Sequence, residues 1–176
     1  VAVHKKRNVF SNKYLSIVSE TFRVRGKRVQ LFVEEKPDGA IVVPRLADGR
    51  FLLEKNYRHA LGRSVYEFPA GLVEPGETPR DAALRELAEE TGYRAKKATL
   101  LCEDYWSPEN SRQRLFFFYA DVEKSGRRHL DDMEVIGLAK VGGDDIRRMI
   151  RDGRICDGKT ALAFLYFSEY FTQSRS

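Results

Sequence analysis

Two cysteines, Cys102 and Cys156, are too few for a disulfide framework and stand at no zinc-ligand spacing. Such sparse thiols suit a reducing compartment, so the expected location is the cytoplasm. Long apolar runs are missing too. Nothing approaches the roughly 20 residues of a membrane helix, and the opening VAVHKKRNVFSNKYL is basic without the apolar stretch of a signal peptide. No membrane is therefore expected as a partner. Repeats and low-complexity tracts are absent as well. What is present is globular: 176 residues, 42% hydrophobic and 32% charged, suit one domain with a core of its own.

The net charge of +5 suits a small, doubly anionic ligand drawn into a basic cleft. The basic residues fall in short clusters: Lys5-Lys6-Arg7, Arg25 to Arg28, Lys96-Lys97, Arg127-Arg128 and Arg147-Arg148. They form no stripe at helical spacing and no nucleic-acid motif, so a nucleic-acid partner is not expected. Tyr14 to Val24 and Lys27 to Glu35 alternate apolar and polar residues around Arg25-Gly26, which predicts an N-terminal hairpin ended by Pro37-Asp38-Gly39. Residues 1–38 are thus set off from a main unit, 39–176. Strands are predicted over Ala40–Arg45, Phe51–Tyr57, Ala95–Glu103, Gln113–Val122 and, weakly, Val135–Val141. Helices are predicted over Asp144–Asp152 and Lys159–Phe171. The run Phe116-Phe117-Phe118 predicts a strand buried on both faces.

Between these elements lies GLVEPGETPRDAALRELAEETGY, Gly71 to Tyr93. Thr78 is a natural N-cap, Pro79 suits the first helical position, Asp81 sits in the first turn and Gly92 ends the helix. At about 100° per residue, Leu84, Leu87, Ala88 and Thr91 are expected to face the core, with Glu86, Glu89 and Glu90 on the opposite side. Three crowded carboxylates call for a cation. Oxygen ligands favour a hard ion, Mg²⁺ first and Mn²⁺ next, over zinc.

Gly71, five residues, Glu77, seven residues, then Arg85-Glu86-Leu87-x-Glu89-Glu90-x-Gly92 match the Nudix box at its fixed polar and glycine positions. Tyr93, where an aliphatic residue is usual, is the one departure. The chain therefore resembles a Nudix hydrolase. The resemblance implies an α+β Nudix fold, a mixed β-sheet sandwiched between α-helices, here with an N-terminal β-hairpin extension. It also implies that Glu86, Glu89 and Glu90 hold the catalytic metal, while Glu77 and Arg85 form a supporting pair with Gly71 and Gly92. Upstream, Asp48 to Arg58 and Glu67-Phe68-Pro69-Ala70-Gly71 look like the branch that cleaves ADP-ribose and other nucleoside diphosphate sugars. Pro108 stands where ADP-ribose enzymes carry a proline. In that branch the Ala70 carbonyl is also a metal ligand, and the N-terminal hairpin joins a homodimer whose partner completes the pocket.

Hydrolysis of a diphosphate needs charge cancelled and a nucleophile supplied near neutral pH, which bound metal provides. Arg58 and Glu67 are the substrate-binding candidates, Arg58 because a guanidinium matches phosphate bidentately. Tyr57, Phe68, Tyr105 and Trp106 are the aromatic side chains nearest the site in sequence. The general base stays open. Gln113 occupies the loop position where relatives carry an acid, which leaves Glu109, Glu89 or the run Asp131, Asp132 and Glu134. Glu90 and Glu89 are the catalytic candidates on the helix, and Glu109 the one in the loop. The alternatives are a Nudix hydrolase of dinucleoside polyphosphates, NADH or capped RNA, or a non-catalytic regulator.

Overall fold

The computed structural model describes residues 3–13, 15–130 and 136–173. Tyr14 and the acidic run Asp131, Asp132 and Glu134 lie outside them. Near the N-terminus, β1 (Val3–Ser11), β2 (Ser16–Val24) and β3 (Lys27–Glu35) form an antiparallel three-stranded sheet. The expected hairpin thus gains a third strand. Arg25 and Gly26 close β2 onto β3 with φ of 49° and 77°, the paired positive values of a tight two-residue hairpin turn.

The main sheet is mixed. Its order is β12 (Ile136–Val141), β5 (Phe51–Arg58), β4 (Gly39–Arg45), β10 (Arg114–Asp121) and β9 (Thr99–Tyr105), with β10 parallel to β4 and the remaining pairs antiparallel. Strands β4 and β5 pair only at Arg45 and Phe51 and then diverge. Into the gap fold β6 (Arg63–Glu67), along β5, and β7 (Ala70–Leu72), along β4. A small ladder of β8 (Tyr93–Arg94) and β11 (Glu123–Lys124) lies beyond the box.

Alternation along the central strands divides the core into two layers. Ala40, Val42, Leu52, Phe116 and Phe118 pack against Ala82, Ala83 and Leu87 of α1 (Pro79–Thr91). Ile41, Val43, Leu53 and Phe117 pack against α2 (Gly143–Arg151) and α3 (Gly158–Gln173), which contribute Ile146, Met149, Ala163 and Phe164. The sheet is therefore sandwiched between helices, and Phe116 to Phe118 are buried on both faces as their pattern predicts. The helical face of α1 differs from expectation. Its buried residues are Ala82, Ala83, Leu87, Glu90 and Thr91, while Leu84 and Ala88 are only half-buried. Glu90 follows Ala83 and Leu87 by seven and three positions, so helical periodicity turns it inward with them. Among the described residues, no helix is long and apolar enough to cross a membrane.

The N-terminal sheet is fastened to the loop after β9. Glu34 donates its amide to the Asn110 carbonyl at 2.7 Å, and Arg112 forks onto the buried Glu20 at 2.8 Å and reaches Glu35 at 3.2 Å. These contacts bring β2 and β3 to the edge of the gap between β4 and β5.

Candidate active site

The start of α1 follows the capping logic of its sequence. The Asp81 amide donates to Thr78 Oγ1 at 3.2 Å, and the Thr78 hydroxyl donates to the Asp81 carboxylate at 2.6 Å. Gly92 ends the helix at φ 71°, its amide on the Ala88 carbonyl. A Cβ there would also meet the Gly126 carbonyl at 2.8 Å, so this position is closed sterically as well.

Arg85 organises the box. Its Nε and Nη2 donate to the two oxygens of Glu77 at 3.0 and 3.1 Å, its Nη1 to Glu86 at 2.7 Å and to Glu89 at 3.1 Å, and its Nη2 to the Leu72 carbonyl at 3.0 Å. The Glu77 carboxylate also accepts the Glu74 amide at 3.1 Å. Hydrogen bonds from Arg85 hold the Glu77 carboxyl below its ordinary range, and Glu77 in turn raises the Arg85 guanidinium. One planar cation thereby ties the loop to the helix and partly neutralises three carboxylates.

Gly71 and Glu86 are in intimate contact. A Cβ on Gly71 would fall 1.8 Å from Glu86 Oε1, a distance no side chain tolerates. Glu90 is 5% exposed and accepts the Ala70 amide at 3.1 Å. Two box carboxylates thus press on the Ala70–Gly71 segment, while Glu89 stays more open, with its side chain 43% exposed. Among the described residues, no three His, Cys, Asp or Glu side chains converge at metal-binding spacing. Arg85 spans Glu86 and Glu89, and Glu90 points at a backbone amide. The donors are nevertheless all oxygen and come from a rigid helix and a fixed strand end. Such a set fits a hard divalent ion that takes one or two carboxylates and completes its shell with water and substrate phosphate.

Beside this segment opens a cavity of about 820 Å³, bounded by Ala70, Gly71, Arg58, Trp106, Phe32 and Lys159, among others. Its volume suits a nucleotide-sized ligand. Arg58 and Glu67 meet: Arg58 Nε donates to Glu67 at 2.9 and 3.1 Å, and this bonding raises the guanidinium. Glu67 is 6% exposed, so it holds Arg58 from below rather than facing the cavity. Lys36 pairs with Glu34 at 2.7 Å, and Lys159 with Asp157 at 2.5 Å. Each cation named on the cavity wall is therefore matched by a carboxylate.

Gln113 lines the cavity and donates its side-chain amide to the Pro37 carbonyl at 2.7 Å. Glu109 is not among the lining residues. It accepts the Ser107 hydroxyl at 2.6 Å, which holds its carboxyl below the ordinary value. Of the four aromatic residues, Phe68 belongs to the core at 2% exposed, Tyr57 packs edge-on against His59, Tyr105 is half exposed, and Trp106 lines the cavity. Sequence reasoning missed Phe32, Lys36 and Lys159 on the walls. Only the bridge of β3 to the loop after β9 and the start of α3 bring them there.

The Nudix domain family model matches residues 35–152, which contain the box, α1 and the main sheet. The chain belongs to the Nudix family. Nudix hydrolases generally use divalent metal ions. Over 164 residues the chain is 32% identical to the ADP-ribose pyrophosphatase of Bacillus subtilis, covering 92% of this chain and 89% of that protein. It is 29% identical over 165 residues to the methanol dehydrogenase activator of Bacillus methanolicus, with the same coverage of 92% and 89%. Identity to the GDP-mannose pyrophosphatase of Yersinia pestis is 34% over 114 residues, covering 62% of this chain and 57% of that one. A crystal structure of an ADP compounds hydrolase superposes with a TM-score of 0.86 at 20% identity, covering 98% and 95% of the two chains, so this Nudix fold is shared along nearly its whole length.

Proposed function

We propose that this chain is a pyrophosphohydrolase that splits the diphosphate of ADP-ribose or a related nucleoside diphosphate sugar, giving a nucleoside monophosphate and a sugar phosphate. The reading rests on one observation: Glu86 and Glu90 press on the Ala70–Gly71 segment at the rim of a nucleotide-sized cavity. In the reaction, a water oxygen bonds to one phosphorus, the P–O bond to the bridging oxygen breaks, and a proton passes to a base. Glu89 and Glu109 are the candidate bases on described residues. Glu89 stands on the box helix, and Glu109 in the loop that carries Trp106.

Charge matching supports a metal requirement. The cations named on the cavity wall are already paired with Glu34, Glu67 and Asp157, so an arriving diphosphate needs further positive charge. Mg²⁺, or Mn²⁺ in its place, would be held by the Ala70 carbonyl with Glu86 and Glu90, and Glu89 on occasion. When bound, the ion cancels phosphoryl charge and makes water more acidic. Arg58, fixed by Glu67, then orients the phosphate, while Gly71, Glu77, Arg85 and Gly92 keep the carboxylates in place.

Residues 1–38 act in this reading as a dimerisation segment, with 39–176 as the hydrolase domain. Val9, Phe10 and Leu31 of the N-terminal sheet are 46%, 52% and 42% exposed, an apolar load that a second copy would cover. Cys102 and Cys156 are free thiols, which favours the cytoplasm.

A panel of ADP-ribose, GDP-mannose, UDP-glucose, diadenosine polyphosphates and NADH, assayed with Mg²⁺ and with Mn²⁺, tests the assignment. The expected result is turnover of a nucleoside diphosphate sugar at the highest kcat/KM, abolished by chelation. Glu90→Gln keeps an acceptor for the Ala70 amide but removes the charge, so it is expected to lower kcat by roughly a hundredfold or more with the melting temperature unchanged. Near-normal turnover would remove Glu90 from the site.

A further inference from the structure

Trp106 is the single tryptophan of the chain, and it lines the cavity with its ring half exposed. The start of α3 sets its position. A Cβ on Gly158 would lie 2.5 Å from the indole Cη2 and 3.3 Å from Cζ3, so the ring rests directly against backbone. Lys159 holds its ammonium 5.8 Å from the ring centroid, and Asp157 grips that ammonium at 2.5 Å. Asp157 also accepts the Thr160 amide at 2.9 Å, capping the helix. The indole thus rests against a capped helix start.

The two walls of the cavity differ in chemistry. On the side of the N-terminal sheet, Ile17 and Phe32 offer an apolar surface with one exposed aromatic ring, and the polar groups beside it, Lys36 and Glu34, are spent on each other at 2.7 Å. On the Trp106 side, Lys159 stands over the indole, and Ser107 and Asn110 also line the cavity, all hydrogen-bonding side chains. A nucleobase is flat and suits the apolar wall. A sugar presents C–H groups on one face and hydroxyls at its rim, which calls for an aromatic surface with polar groups beside it.

We propose that Trp106 is the platform for the sugar half of the substrate, and that Gly158 is the positioning residue that sets the indole. The assignment rests on the reading of the chain as a nucleoside diphosphate sugar hydrolase and deepens it. Trp106 selects the sugar by stacking, Lys159 offers donors to a hydroxyl, and the diphosphate spans from this wall to Arg58 and the Ala70–Gly71 segment.

Because no other tryptophan is present, its fluorescence reports on this wall alone. The protein is titrated with the α,β-methylene analogue of ADP-ribose, with ADP and with ribose 5-phosphate. The sugar-bearing analogue is expected to shift or quench the emission, and ADP to leave it nearly unchanged. In kinetics, Trp106→Ala is expected to raise KM for the preferred nucleoside diphosphate sugar on the order of tenfold with kcat within about twofold. Trp106→Phe should recover part of that loss. Gly158→Ala suits a helix start but displaces the ring, so it should raise KM in the same direction and alter the emission of the free protein. An equal response to ADP would place the nucleobase on Trp106 and overturn the proposal, as would an unchanged KM in Trp106→Ala. Failure of the wild type to hydrolyse any compound in the panel would instead overturn the hydrolase reading itself.

Discussion

Replacing Arg85 with alanine removes one side chain and five hydrogen bonds: two to Glu77, one each to Glu86 and Glu89, and one to the Leu72 carbonyl. Hydrogen bonds involving charged groups contribute about 1.5–3 kcal/mol each, but these share one donor group and do not add. Stranding the partners of a fully buried ion costs about 3–5 kcal/mol. Arg85 is 26% exposed and Glu89 43%, which screens part of the interaction and argues for the lower end, about 3 kcal/mol. For a domain of this size that corresponds to a fall of about 6–12 °C in melting temperature. Scanning calorimetry or a dye-based melt measures it directly. A double-mutant cycle with Glu77→Gln isolates the shared part, expected at about 1–3 kcal/mol. Divalent ions add a second readout, because without the guanidinium three carboxylates face one another. Mg²⁺ should therefore raise the melting temperature of Arg85→Ala more than that of the wild type. A fall below about 2 °C, or no difference in the response to Mg²⁺, would refute the view that this cation organises the box.

Three further outcomes follow from the same geometry. Gly71→Ala puts a methyl group onto the Glu86 carboxylate and is expected to destabilise by about 1–3 kcal/mol, with a larger loss in kcat than any other small substitution in β7, as steady-state assays would show. Glu89→Gln and Glu109→Gln, compared in single-turnover assays, should identify the base as the variant whose chemical step slows by about a hundredfold or more; equal and normal rates in both would exclude the two together. Arg85 lowers the Glu77 pKa, so the stability this pair contributes is complete above the ordinary glutamate value and is lost as pH falls through the depressed folded value. Melting temperatures followed downward from about pH 5 should show that loss, and Arg85→Ala should show less of it.

The box and the sandwich were legible because each depends on local chemistry. Thr78, Pro79 and Gly92 delimit α1 by capping, and the alternation around Phe116 to Phe118 reveals two buried faces. Strand β1 was missed because its nine residues are all exposed, leaving no inside-and-outside pattern to read. Strands β6 and β7 were missed because Pro69 and Gly71 read as loop, whereas they fill a gap that exists only once β4 and β5 splay apart. Glu90 was placed with Glu86 and Glu89 opposite the core, as a metal-holding carboxylate, although three positions after Leu87 it shares the buried face. The Ala70 amide is one partner that makes its burial tolerable. Arg58 and Glu67 were both singled out, but their pairing depends on the register of β5 with β6, which no spacing in the sequence reveals.

The Phe68 amide donates to Thr160 Oγ1 at 3.0 Å, and that hydroxyl donates to Asp157 at 2.8 Å. Two residues beyond Phe68 comes the Ala70 carbonyl, the proposed metal ligand, so the first turn of the last helix is anchored to the link between β6 and β7 that aims it. Swapping only the C-terminal helices between two related enzymes would transplant part of that aim along with them. A chimera of this kind would inherit altered catalysis from a segment that contributes no carboxylate to the box.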